Sequence, residues 1–126
     1  MHKSRLGAIV IDCETDDFSD VEAFWSQALG CAAEDSDDAV NQNYVKLVTP
    51  DGEVQVLLQK VDHPSRVHID MESDDVAAEV ERLEKHGAIR IAEIKSWVVM
   101  EAPTGQQFCV VPVVSTDFGE KANTWP

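Results

Sequence analysis

The chain repeats itself. Residues 10–17, Val-Ile-Asp-Cys-Glu-Thr-Asp-Asp, return as residues 68–75, His-Ile-Asp-Met-Glu-Ser-Asp-Asp, 58 positions later, with five of the eight identical. Gly30-Cys31 and Gly87-Ala88 follow at an offset of 57, and the Thr-Pro-Asp-Gly of 49–52 is echoed by the Ala-Pro-Thr-Gly of 102–105 at an offset of 53. Three matches in the same order identify one supersecondary unit used twice, a unit that buries its apolar face only against a neighbour. At 126 residues the two copies make one ordinary domain. Module one is expected over about 6–61, module two over about 65–114, and a tail over 115–126.

Each copy reads the same way locally. Ala8 to Cys13 and Val67 to Met71 are short and rich in β-branched residues, as strands are. By the period of two, Ile9, Ile11 and Cys13 share one face and Val10, Asp12 and Glu14 the other. In the second copy Val67, Ile69 and Met71 oppose His68, Asp70 and Glu72. Val21, Phe24, Trp25, Ala28 and Leu29 then recur at helical spacing, with Ser19 and Glu22 as a capping box; Phe24 and Trp25 are expected in the helix-to-sheet core. Val76, Val80, Leu83 and Gly87 repeat the spacing, with Glu81 and Lys85 as a solvated pair, and a glycine ends each helix. Strands are expected at 44–48, 54–60, 89–94, 97–101 and 108–111, and the acidic stretch 32–43 reads as a loop with a short or irregular strand.

Charge narrows the partners. Twenty-four acidic residues against ten basic ones leave a formal charge of −14, a field that repels polyanions, so nucleic acid is excluded as a partner. Such charge serves solubility or a salty habitat, or else favours a cationic ligand. The longest apolar run, Phe108 to Val114, is seven residues, far below the ~20 that span a bilayer, so no membrane segment is expected. The amino terminus lacks a secretory pattern, and three widely spaced cysteines, Cys13, Cys31 and Cys109, read as reduced thiols; the expected location is the cytoplasm. No phosphate loop, HExxH, GxSxG or GxGxxG pattern is present.

Ile-Val-Ile-Asp-Cys, Ala-Phe-Trp-Ser-Gln-Ala-Leu-Gly, Val-His-Ile-Asp-Met, the Arg-Leu-Glu-Lys-His-Gly-Ala helix end and Trp-Val-Val-Met-Glu-Ala-Pro-Thr-Gly-Gln-Gln-Phe-Cys-Val-Val-Pro together resemble the glyoxalase/bleomycin-resistance/extradiol-dioxygenase superfamily, also called the vicinal oxygen chelate superfamily, in its glyoxalase-like branch, over about residues 6–112. The resemblance implies an α+β fold in which two βαβββ modules pair into a half-open eight-stranded cup with helices outside. It also implies a ligand site in the cup, where metal-using members place a divalent ion on the first and last strands of each module. Carried over, His68 and Cys109 fall on two of these positions. Val10 falls on the third; the fourth falls on Val56 by a gapless match, or on Gln55 or Leu57 after a one-residue slip. A metal site normally needs three protein ligands, so the inherited one reads as largely lost, and no cofactor is expected although a divalent metal remains possible.

Two readings therefore stand together. In one, the cup binds a small organic, possibly cationic, molecule through Asp12, His68, Asp70, Tyr44, Trp97 and Cys109, with Glu14 and Glu72 adding charge near the strand ends. In the other, His68, with Asp70, Cys109 or a glutamine from 54–59, holds a divalent metal, or His68 alone serves as a general base, for isomerase, lyase or dioxygenase chemistry. His2, His63 and His86 need no function, and Met71 is core by parity. Family members commonly dimerise; a homodimer is expected, and the tail, with Phe118 and Trp125 isolated among polar residues, is read as a disordered end or a strap onto a partner subunit.

Overall fold

A computed structural model describes residues 1–34 and 43–126; most of the acidic stretch expected as a loop with an irregular strand lies outside the described residues. The fold is mixed α+β, with eight strands and three helices among the described residues: β1 (His2–Glu14), α1 (Phe18–Leu29), β2 (Tyr44–Leu47), β3 (Gln55–Val61), β4 (Arg66–Ser73), α2 (Val76–Lys85), β5 (Ile89–Ile94), β6 (Trp97–Glu101), β7 (Gln107–Pro112), α3 (Phe118–Lys121) and β8 (Asn123–Trp125). The chain divides into two compact units, one of residues 8–67 and one of residues 1–7 with 68–126, so β1 passes from one into the other after Gly7.

In the unit of residues 8–67 the strand order is β2-β3-β1. β1 and β3 run parallel, with Val10 opposite Leu57 and Asp12 opposite Gln59, and β2 is antiparallel to β3, with Tyr44 opposite Gln59. Ala33 bridges Leu47 beside it. Leu47 and Leu58 are fully buried, and Val10 nearly so. Helix α1 has no fully buried residue, and Phe24 stays 60% exposed. The expectation that Phe24 fills the helix-to-sheet core fails; it stands edge-on against Trp25, 5.1 Å between ring centroids.

In the other unit the order is β4-β7-β6-β5. The core lies under α2: Val80, Val98, Met100, Phe108 and Val110, joined by Met71, Val76 and Leu83. Met71 is core as expected, but its parity partners Val67 and Ile69 remain 62% and 41% exposed. The tail is not a disordered end: Phe118 at the start of α3 is buried, and β8 pairs antiparallel with β1, Trp125 opposite His2. Trp125 donates its indole N–H to Ser4 Oγ at 2.8 Å, and the Arg82 guanidinium lies 3.9 Å from the Trp125 ring centroid.

The repeated octapeptide is explained by what it does in each unit. Thr15 Oγ1 accepts from the Asp17 N–H at 3.0 Å, as Ser73 Oγ does from the Asp75 N–H at 3.1 Å. The last aspartate of each copy then caps the following helix, Asp17 accepting from the Ser19 and Asp20 amides and Asp75 from the Ala78 amide. The duplicated motif is thus a strand-to-helix turn, in which a hydroxyl and a carboxylate satisfy amides that the helix leaves without intrahelical acceptors. The cap of α1 is Asp17, and not the box expected of Ser19 and Glu22; the Ser19 hydroxyl donates to Asp17 at 2.6 Å, and these bonds hold the Asp17 carboxyl below its usual range.

Candidate functional site

On β4, alternation sends His68 and Asp70 to the same side, away from the core side taken by Met71. Asp70 lies opposite Cys109 in the parallel β4–β7 ladder, and Cys109 lies opposite Val99 in the antiparallel β6–β7 ladder. Phe108 and Val110, on either side of Cys109, are buried in the core on the other face, which fixes the direction of the thiol. His68 Nε2 is 3.3 Å from Asp70 Oδ1, and their side chains are 11% and 17% exposed. One donor atom each from His68, Asp70 and Cys109 lies within 4.8 Å of the others. A nitrogen, an oxygen and a sulfur at that spacing are of a number and kind that could hold a divalent ion. Trp97 sits two residues before Val99 on β6, hence on the same side of the sheet as Cys109.

The remaining acids have other work. Glu72 is 1% exposed, and its Oε2 accepts from the Val114 and Ser115 amides, both at 3.1 Å, and from the Ser115 hydroxyl at 2.9 Å. It anchors the start of the tail. Its other oxygen, Oε1, is buried against Gly7 without a hydrogen-bond partner among the described residues. Glu79 on α2 is fully buried and gathers His2 Nε2 at 2.9 Å and the Arg82 guanidinium at 2.7 and 3.0 Å. Burial is the largest single influence on this carboxyl and raises its pKa, but hydrogen bonds from Arg82, Ser4 and His2 together with the Arg82 charge outweigh it and hold the group at about 2. Sequence reasoning missed this cluster because His2 and Glu79 are 77 positions apart and nothing local links them.

The other expected residues belong to the unit of residues 8–67. Asp12 is 2% exposed, and its Oδ2 is 3.4 Å from Arg66 Nε, so a carboxylate expected to meet a cationic ligand has a cation of the chain beside it. Arg66 shares the parity of His68 and Asp70 on β4, which is the signal that was available in the sequence. Tyr44 is partly exposed, and its hydroxyl accepts from Gln59 Nε2 at 2.9 Å. Glu14 lines an open groove of about 870 Å³ with Asp16, Gln59, Lys60, Asp62 and His63. Val56, the gapless candidate, lies opposite Ile9 and so on the other face from Val10; Leu57 is the residue across from Val10, and it too carries no donor atom. Burial and the nearby Asp12 charge push the Cys13 thiol up. His86 caps the end of α2, and His63 Nδ1 lies 2.9 Å from the Pro64 carbonyl oxygen. Among the described residues no helix is long and apolar enough to cross a membrane.

Residues 8–111 match the Glyoxalase-like domain, and the chain belongs to that family, within the vicinal oxygen chelate superfamily. Among solved structures it is similar to a hypothetical protein of Bacillus halodurans, with 13% identity over 90% of this chain and 96% of that one and a TM-score of 0.62. It is also similar to methylmalonyl-CoA epimerase from Mycobacterium tuberculosis, with 14% identity, 87% and 88% coverage and a TM-score of 0.60. The Streptomyces coelicolor methylmalonyl-CoA epimerase, solved in complex with 2-nitronate-propionyl-CoA, gives 16%, 88% and 98%, and 0.58. At such identities the TM-scores establish a shared fold and nothing more. No curated protein sequence matches at a significant level.

Proposed function

We propose that the chain uses His68, Asp70 and Cys109 to hold one divalent cation, at which a small organic molecule is bound through neighbouring oxygens. The observation that supports this is the nitrogen, oxygen and sulfur donors of the three side chains within 4.8 Å of one another. The set fits a metal by ligand number and chemistry, and a bound ion would supply Lewis acidity and a template for the substrate oxygens. The protein's own part is geometric: the β4–β7 register holds Asp70 beside Cys109, the core behind Phe108 and Val110 fixes that register, and Trp97 offers an apolar wall. Elemental analysis of untagged protein grown in medium supplemented with zinc, cobalt, manganese and nickel is expected to find about one equivalent of metal, lost in His68→Ala. A wild type that takes up none of the four ions would overturn the reading.

The ligand class follows from charge. Two of the similar structures are methylmalonyl-CoA epimerases, one of them holding a CoA thioester. A net charge of −14 opposes the phosphates of such a ligand. We therefore assign a compact, phosphate-free molecule, neutral or cationic. A thermal-shift panel of hydroxy-acids, hydroxamates, basic aromatic compounds and CoA esters distinguishes these; preferential stabilisation by CoA esters refutes the assignment.

A second reading needs no metal. The 3.3 Å approach of Asp70 Oδ1 to His68 Nε2 is also the arrangement by which a carboxylate orients an imidazole as a general base. Activity in the presence of a chelator, abolished by His68→Ala, would favour it. The assembly we assign is a homodimer in the cytoplasm, supported by the exposure of Phe24, Val67 and Ile69 and by three unbridged cysteines; a monomer at micromolar concentration in sedimentation equilibrium removes the dimer.

A further inference from the structure

We infer that Cys109 makes this a soft-metal centre, selective for zinc-class ions (Zn²⁺, Co²⁺, Cd²⁺) over the oxygen-seeking Mg²⁺, Ca²⁺ and Mn²⁺. The inference rests on the metal-centre reading above and adds to it the identity of the ion and the residue that decides it. With one nitrogen, one oxygen and one sulfur donor, the set gives a hard octahedral ion a single preferred ligand, the Asp70 carboxylate, whereas a borderline or soft ion is served by all three. The thiol does not swing out of the set at little cost. Cys109 is paired to Asp70 on one side and Val99 on the other, and its chain neighbours Phe108 and Val110 are 8% and 0% exposed in the core beneath. The other thiols are placed differently. Cys13 is buried in β1, and Cys31 follows α1, where its Sγ approaches the Leu29 carbonyl oxygen at 3.6 Å; both lie in the unit of residues 8–67.

The selectivity is separable from binding itself. Cys109→Asp keeps a short anionic ligand at the same register position but replaces sulfur with oxygen. It should lower cadmium and zinc affinity by more than the ~10- to 100-fold typical of losing a supporting outer partner, while manganese affinity holds or rises.

The test is a cobalt titration of the full chain with absorption recorded in the near ultraviolet, alongside cadmium NMR of the wild type. The expected result is a thiolate-to-cobalt charge-transfer band at one equivalent, present in Cys31→Ser and absent in Cys109→Ser, with a cadmium resonance in the sulfur-ligated range. Cobalt bound at one equivalent without that band, and lost in His68→Ala, would leave the metal centre standing and overturn the role of Cys109. A band that survives Cys109→Ser does the same. Absence of any cobalt or cadmium binding overturns both readings. The cadmium spectrum needs no variant, so a Cys109 variant that fails to fold does not block the decision.

Discussion

Asp70 and Cys109 face one another across the parallel β4–β7 ladder, although 39 positions separate them in the chain. His68 joins them from two residues upstream, and the donor atoms of all three converge on a side of the sheet that the core does not use. A separation of site from core means that changes of charge there should act on binding more than on folding.

Asp70→Asn is the direct check. It keeps the shape of the side chain and removes its charge, so cobalt affinity should fall about 10-fold or more, while the melting temperature of the metal-free protein falls by only the few degrees that losing one charged partner of His68, about 1 kcal/mol, represents. A drop in stability with unchanged cobalt affinity would place Asp70 in the scaffold instead.

The two helix caps distinguish a sequence expectation from the observed turn. Asp17→Ala removes the acceptor of the Ser19 and Asp20 amides and should destabilise by about 1 kcal/mol. Ser19→Ala, which deletes only a hydroxyl donating to Asp17, should cost a few tenths. Urea unfolding of both variants checks the order, and hydrogen exchange should find α1 less protected than α2, because α1 has no fully buried residue.

Glu79 makes stability depend on pH in a defined direction. Its carboxyl lies at about 2 in the folded chain against 4.5 as its ordinary value, so the unfolded state binds the proton first. The contribution is complete above about pH 4.5 and is lost as pH falls towards 2. Arg82→Ala leaves Glu79 with one charge partner fewer and should cost about 3 kcal/mol at neutral pH. The gap between wild type and variant should narrow on acidification, as measured by urea midpoints from pH 7 down to 2.5; a gap independent of pH would show that Arg82 acts through its stacking on Trp125.

Gly7 is required by contact. A Cβ there would stand 2.4 Å from Glu72 Cγ and 2.8 Å from its Oε1, and Glu72 is held by three bonds to residues 114 and 115. Gly7→Ala should cost about 1–3 kcal/mol. In a Glu72→Ala background the penalty should shrink, since the clashing γ, δ and ε atoms are gone; calorimetry on the four chains of the cycle gives the coupling.

Much of this protein was legible in its sequence because the informative signals are local. The repeated octapeptide marked two equivalent strand-to-helix turns, β-branched runs placed the strands, helical spacing placed α1 and α2, and strand parity put His68 and Asp70 on one face and Met71 on the other. Those inferences depend on neighbours one to eight residues apart, where backbone geometry alone sets direction. Register across strands is a different matter. That Cys109 meets Asp70, that Leu57 and not Val56 lies across from Val10, and that Arg66 neutralises Asp12 depend on how the strands slide into place, and a slip of one residue reverses every face. The fate of the tail was equally hidden, because Trp125 finds Ser4 and Arg82, and Glu72 finds Ser115, only after the chain ends have been brought together by packing that no spacing in the sequence encodes.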